Sequence, residues 1–575
     1  MNKISMGLAL VVGALALSVA ARAELPNPSV LARTSPSGNY LAARLAGGQR
    51  DMAAAATYYR AALRADPKNG ELIERTFLVV LASGVVDDAV PLAERVVGID
   101  KSHRIARLAL AARAIKRGQA TAARAQLTQS VRGPIADLTA TLLTAWTYAT
   151  VNEAKTGVEL IDKLQGAEWY TAFKELHAGL ILEAAGQRKE AGKRLERAYR
   201  ADPTSVRIVD AYARWLARNG DRDKALEAYA AFAKLLPNHP LVDSAVTDLN
   251  AGRTPPPLVR STAQGAAEVL YGLGAALARQ GGEDLGLIYL QLAIYLDAEH
   301  PLALLSLADL YEQMKKADLA IEAYARVPSN SPLKRNAEIQ RGLNLDVLER
   351  SDEARAYLEK LVTEYPQDYD TAVALGNVLR ARKQYKEAAE VYSKAIARLE
   401  KPARQHWTVF YFRGISYERS KEWKRGEADL EKALELFPEQ PQVLNYLGYS
   451  WIDQGMNLER GTQMVRRAVE LRPNDGYIVD SLGWAYYRQG QYEAAAKELE
   501  RAIELRPEDP VINDHLGDAY WKVDRHLEAH FQWRHARDLK PEPEDLAKIE
   551  LKLKNGLADD GAPAKAAVSN SGNGG

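Results

Sequence analysis

Residues 480–507 read DSLGWAYYRQGQYEAAAKELERAIELRP, and their spacing decides the fold. Leu482, Gly483, Tyr486, Gly490, Tyr492, Ala495, Leu499, Ala502 and Pro507 mark two short helices folded back on each other. The logic is steric. Gly483 and Ala495 stand where the two helices cross, and a larger side chain at either place would push them apart. Tyr486 and Leu499 fill the space beside them, while Pro507 cannot continue the second helix and fixes the next turn.

Working outward, the small residue of the first helix recurs at Gly274, Ala308, Gly342, Gly376, Gly414, Gly448, Gly483 and Gly517. The steps are 34, 34, 34, 38, 34, 35 and 34 residues. Ala320, Ala354, Ala388, Ala495 and Ala529 mark the second helices, and Pro366, Pro438, Pro473, Pro507 and Pro541 close the units. This spacing resembles the tetratricopeptide repeat (TPR), a pair of antiparallel helices. One pair cannot bury its own apolar face, so stacking on its neighbours completes the core. The expected fold is all-α, a TPR solenoid: a right-handed superhelix of about 13 or 14 antiparallel helix pairs.

The N-terminal half carries the unit more loosely. Ala43, Ala55, Tyr59, Ala62 and Pro67 mark one copy; Gly179, Gly186, Ala191, Leu195, Ala198 and Pro203 another; Ala213, Gly220, Ala225, Tyr229 and Pro237 a third. About three degenerate units fit between Glu71 and Gly166. From Ala213 to Gly274 is 61 residues, one period plus 27, and the excess contains AGRTPPP at 251–257, a stiff extended connector. The expected division is an N-terminal lobe at 24–250, a connector at 251–264, a C-terminal lobe at 265–542, a capping helix at 543–556 and a disordered tail at 557–575. Before these, Lys3, an apolar run from Ile4 to Ala20 and the small-x-small pattern Ala21, Arg22, Ala23 predict an export signal over 1–23, cleaved after Ala23. Left uncleaved, the run would anchor the chain in the inner membrane. The expected location of the mature chain is the periplasm.

The 575 residues hold 76 Lys plus Arg against 75 Asp plus Glu, a net charge of +1, without the basic excess that phosphate contacts require. Nucleic acid is therefore not an expected partner. There is no cysteine, which excludes disulfides, thiol catalysis and a lipid-modified N-terminal cysteine. His515, His526, His530 and His535 form the most tempting chemical cluster, because His526 and His530 are four apart and share a helix face. The Glu at 528 is misplaced for a zinc protease, however, and solvated or interface histidines account for the set. The Gly272, Leu273, Gly274 fragment lacks the third glycine of a dinucleotide loop. No catalytic residue, metal or cofactor is expected, and the chain reads as a non-enzyme.

What remains is surface. In a TPR stack the first helices line the concave side, and the family geometry nominates Tyr411, Asn445, Tyr449, Asp480, Trp484, Tyr487, Arg488, Asp514, Asp518 and Trp521 for partner binding. Trp, Tyr and Arg are the side chains most often found at interface hot spots. Trp484 and Trp521 have a second reading, as core packed between neighbouring first helices. The stretches LNYLGY (444–449), DSLGW (480–484) and HLGD (515–518) further resemble a Gram-negative envelope TPR family. That family includes an outer-membrane lipoprotein adaptor of a carboxyl-terminal processing protease. The resemblance implies a scaffold that holds protein partners, such as that protease and its envelope substrates. The adaptor carries a lipidated cysteine and this chain has none, which implies a freely diffusing or inner-membrane-tethered form. The alternative is a scaffold for envelope polymer (peptidoglycan or exopolysaccharide) synthesis or export.

Overall fold

The computed structural model describes residues 35–130, 133–150 and 152–557. The predicted signal at 1–23 lies outside the described residues, as does the tail beyond Leu557. The described residues hold 30 α-helices and no strand. Twenty-eight form fourteen antiparallel pairs, and Pro240–Asn250 and Pro543–Asn555 stand alone. The fold is an all-α solenoid of helix pairs. Three pairs occupy the degenerate stretch, from Gly70–Ala82 to Ala154–Lys163.

The local signals are those of helical hairpins. Asp509 Oδ1 accepts from the amides of Val511 and Ile512 at 2.9 and 3.0 Å, and Asp368 caps Thr371 at 2.8 Å. Proline opens the helices at Pro134, Pro240, Pro301, Pro441 and Pro510. Between the helices of a pair one residue turns left-handed, at no steric cost at Gly490 (φ +75°) and at some cost at Asp524 (φ +62°). The small residue of each first helix lies against the residue about sixteen positions on. A Cβ on Gly483 would sit 2.6 Å from Leu499, one on Gly376 2.4 Å from Tyr392, and one on Gly517 2.5 Å from Trp533.

The described residues group into two compact units, one ending at Tyr357 and one beginning at Leu358, within helix Ser351–Glu364. The lobe boundary expected at 251–264 is therefore not where the contacts divide. Residues 251–261 do form a non-helical connector, but it returns the chain upon its own unit. Helix pair Thr262–Arg279 and Glu283–Leu296 packs against the first helices Gly70–Ala82, Arg104–Lys116, Pro134–Trp146 and Tyr170–Ala184. The inner face of the N-terminal repeats is thus filled by the chain itself.

The fit is close. Gly265 lies under Trp146, where a Cβ would come within 2.3 Å of the indole, and Gly272 lies against Phe173. Tyr289 Oη and Thr139 Oγ1 share a buried hydrogen bond of 3.0 Å, and Tyr295 Oη donates to Asp87 at 2.7 Å. Gln291 reaches the carbonyl of Ala82 at 3.4 Å and Tyr311 Oη at 3.0 Å. Around Glu268 the interior is ionic: its carboxylate pairs with Arg207 and lies 3.2 Å from His300 Nε2. Burial opposes this charge, but Arg207 and His300 hold the Glu268 pKa well below the usual carboxylate range.

The second unit contains the pairs from Tyr369–Ala381 to His526–Asp538 and ends on Pro543–Asn555, followed by Gly556 at φ +70°. This last helix packs on His526–Asp538, as each first helix packs on the second helix before it.

Candidate partner-binding surface

The first helices of the second unit carry all ten residues nominated from the sequence. Gly414, Gly448, Gly483 and Gly517 bring each first helix close to its own second helix, and successive first helices then touch one another. Six of the ten side chains are buried: Tyr411, Asn445, Tyr449, Asp480, Trp484 and Asp518. Tyr487, Arg488, Asp514 and Trp521 are half-buried.

Tyr411 packs edge-on against Tyr446 of the next first helix, with ring centroids 5.9 Å apart. Burial raises the pKa of its phenol and of that of Tyr449, so both stay neutral. Trp484 lies parallel to Tyr487 at 4.7 Å and to His515 at 4.1 Å, a three-ring stack spanning two repeats. For Trp484 this is the packing of the second reading, core between neighbouring first helices. Its indole Nε1 is buried and has no hydrogen-bond acceptor among the described residues. His515 Nδ1 lies 2.9 and 3.2 Å from the two Asp480 oxygens. Burial opposes protonation of His515, but Asp480 outweighs it and raises the imidazole pKa. Arg488 donates to the backbone carbonyl of Asp453 at 3.0 Å.

Asp514 and Asp518 are taken by the chain's own last helix. Lys552 Nζ lies 2.8 Å from both Asp514 oxygens and 2.7 Å from Asp518 Oδ2. Trp533 Nε1 donates to the other Asp518 oxygen at 2.9 Å. Burial pushes the Asp518 pKa up to about 6, Asp514 adds to the rise, and Lys552 offsets part of it. Trp521 lies under Gly556, whose added Cβ would meet the ring at 2.2 Å.

The histidines do not converge. His515 belongs to the ring stack, His526 and His530 lean on Trp521 at 4.3 and 5.8 Å, and His535 faces Phe531. Among the described residues no group of three or more His, Asp or Glu could hold a metal. Nor is any described helix long and apolar enough to cross a membrane.

Family comparisons match this geometry in four places. Models described as tetratricopeptide repeats or TPR repeats match residues 36–69, 302–333, 339–401 and 483–524. Those four segments carry tetratricopeptide repeats. No curated protein matches it. Solved structures similar to it include the APC/C hetero-tetramer Cut9–Hcn1, at 16% identity over 92% of this chain and 98% of that one, TM-score 0.38. PilF of Pseudomonas aeruginosa matches at 18% identity over 38% of this chain and 97% of its own, TM-score 0.32. MamA of AMB-1 matches at 21% identity over 30% and 95%, TM-score 0.26.

The TPR geometry explains what the sequence missed. Six polar or aromatic side chains chosen as groove-lining are buried instead, Tyr411 against Tyr446 and Trp484 against His515 of the next first helix among them. Lys552 escaped notice because a lone lysine on a polar helix carries no signal of the two carboxylates that receive it.

Proposed function

We propose that this chain is a non-catalytic interaction scaffold whose second unit binds protein partners along its first helices. TPR proteins are generally scaffolds of this kind. The observation that carries the reading is the Tyr487–Trp484–His515 stack, which offers a half-buried aromatic edge beside an indole N–H with no acceptor. The half-buried ring of Tyr487 is the part of the stack a partner can reach, and aromatic side chains of this kind are the ones most often found at interface hot spots. The N-terminal unit makes no comparable offer, since its inner face is filled by residues 262–296.

The finer reading places the scaffold in the periplasm, exported by residues 1–23, as an adaptor bringing a carboxyl-terminal processing protease to its envelope substrates. It would act by raising local concentration rather than by chemistry. Three short stretches, 444–449, 480–484 and 515–518, support it, and two of them supply Trp484 and His515 of the stack. A scaffold for envelope polymer synthesis or export is the alternative.

The test is affinity purification of the tagged chain from envelope extract, with a Trp484→Phe, Tyr487→Ala variant as control. Phe keeps a ring in the stack and deletes the N–H. Recovery of a carboxyl-terminal processing protease by wild type and its loss from the control would support the adaptor. Peptidoglycan or polysaccharide enzymes without protease would move the reading to the alternative. Equal recovery by both proteins would remove the stack from the binding surface.

A further inference from the structure

The last helix, Pro543–Asn555, is held more lightly than the others of its unit. Ile549 is its one buried side chain, whereas Pro510–Lys522 buries eight residues. Leu553 and Leu557 add half-buried contacts with the core that contains Trp533. The strongest polar tie is Lys552 in the cradle of Asp514 and Asp518. That cradle is partly preformed, because Trp533 Nε1 orients Asp518 independently of the lysine.

The hinge before this helix is short and strained. It runs Leu539, Lys540, Pro541, Glu542, and Lys540 has φ +56°. Nine non-glycine residues among the described ones have positive φ, and Lys540 is the one followed by proline. A proline ring crowds the residue before it and drives that residue toward extended conformations. Lys540 therefore bears both the left-handed penalty and the pre-proline one. Extending the hinge would relieve both, and would carry the helix away from its own cradle.

We infer that helix Pro543–Asn555 is exchanged between two copies of the chain, each copy's Lys552 entering the Asp514–Asp518 cradle of the other. The contacts made are those already seen within one chain, so complementarity is guaranteed. The balance lies between relieved hinge strain and the entropy of association, which makes the exchanged form depend on concentration. The second copy thereby contributes residues to a site that is incomplete without a lysine.

The experiment uses the full chain and light scattering after size exclusion, across the micromolar range. Asp514→Lys and Lys552→Glu each set like charges against one another, in the closed form and in a homodimer. Mixed together, they restore an opposite-charge pair at both cradles of an exchanged heterodimer. The mixture is expected to yield about tenfold more dimer than either variant alone. A mixture that stays monomeric, with both variants retaining wild-type helicity, would overturn the inference. So would equal dimer in the separate variants and the mixture. Lys540→Gly in the otherwise unchanged chain checks the hinge, because glycine accepts φ +56° freely. It should lower the dimer fraction severalfold, and an unaltered fraction would count against exchange.

Discussion

Thr139 and Tyr289 lie 150 residues apart in sequence and share a buried hydrogen bond of 3.0 Å. The bond joins a first helix of the N-terminal repeats to the helix pair that fills their inner face. Severing it without leaving an orphan measures how far this filling is a matter of packing. Tyr289→Phe together with Thr139→Val removes both partners, and should cost about 1 kcal/mol or less in urea unfolding. Thr139→Val alone strands the Tyr289 hydroxyl and should cost more, about 1–3 kcal/mol.

Gly265 gives the steric counterpart. Any side chain there meets the Trp146 indole at 2.3 Å, and the indole is itself buried and donates to His177 at 3.2 Å. Gly265→Val is expected to destabilise the first unit by about 2–4 kcal/mol, with a shift in Trp146 emission. Gly490→Ala, in the second unit, meets no neighbour but keeps a positive φ, so its cost should be about 1 kcal/mol. Equal losses at the two sites would refute the close fit around residue 265.

Glu268 is the ionic keystone of the first unit. Replacing it with Gln leaves the half-buried Arg207 with only Asp210, 3.7 Å away, as a counter-charge, and the expected loss is about 1–3 kcal/mol. The pair Arg207→Met, Glu268→Met should recover much of that loss, because both charges leave the interior together. Chemical denaturation of the single and double variants decides the matter.

His177 makes the first unit sensitive to acid. Burial lowers its pKa from 6.5 to about 4, so between these values the unfolded chain binds a proton that the folded chain refuses. Stability contributed by neutral His177 is therefore full above pH 6.5 and is lost as pH falls toward 4, by about 3 kcal/mol in all. Asp518 acts in the opposite sense. Its pKa is raised to about 6, so the folded state takes up the proton first and the penalty for burying its charge fades as pH falls from 6 toward 4. His177→Gln should flatten the acid limb of the stability curve. A curve unchanged by that substitution would show that His177 does not titrate on unfolding.

Much of the architecture is legible in the sequence because its determinants are small residues at a fixed period. Gly376, Gly448, Gly483 and Gly517 announce themselves by spacing, and each meets the second helix as that spacing requires. The return of residues 262–296 is not periodic, and so a 61-residue step reads as a connector between lobes. A signal was present in LGLIYLQLAIYL at 285–296, which is apolar on all sides. A helix without a polar face must be buried all round, and no helix on the outside of a stack is. The surroundings of the residues nominated for partner binding were harder to read. Position on a first helix tells which way Trp484 or Asp518 points, but not that His515 or Lys552 will cover it. Those contacts join residues 31 and 34 positions apart, where nothing in local pattern records them.

The filled inner face also bears on how the chain is made. Synthesis runs from the N-terminus, so the faces of Gly70–Ala82, Arg104–Lys116, Pro134–Trp146 and Tyr170–Ala184 emerge well before the helices that cover them. Until residue 296 has appeared, Trp146, Leu142 and Phe77 have no complete interior to enter, and the nascent arm is a sticky trough. The unit closes late and around its own centre, by contacts of long sequence separation that are slow to form. The nascent chain is therefore most prone to aggregate in the interval before residue 296 emerges.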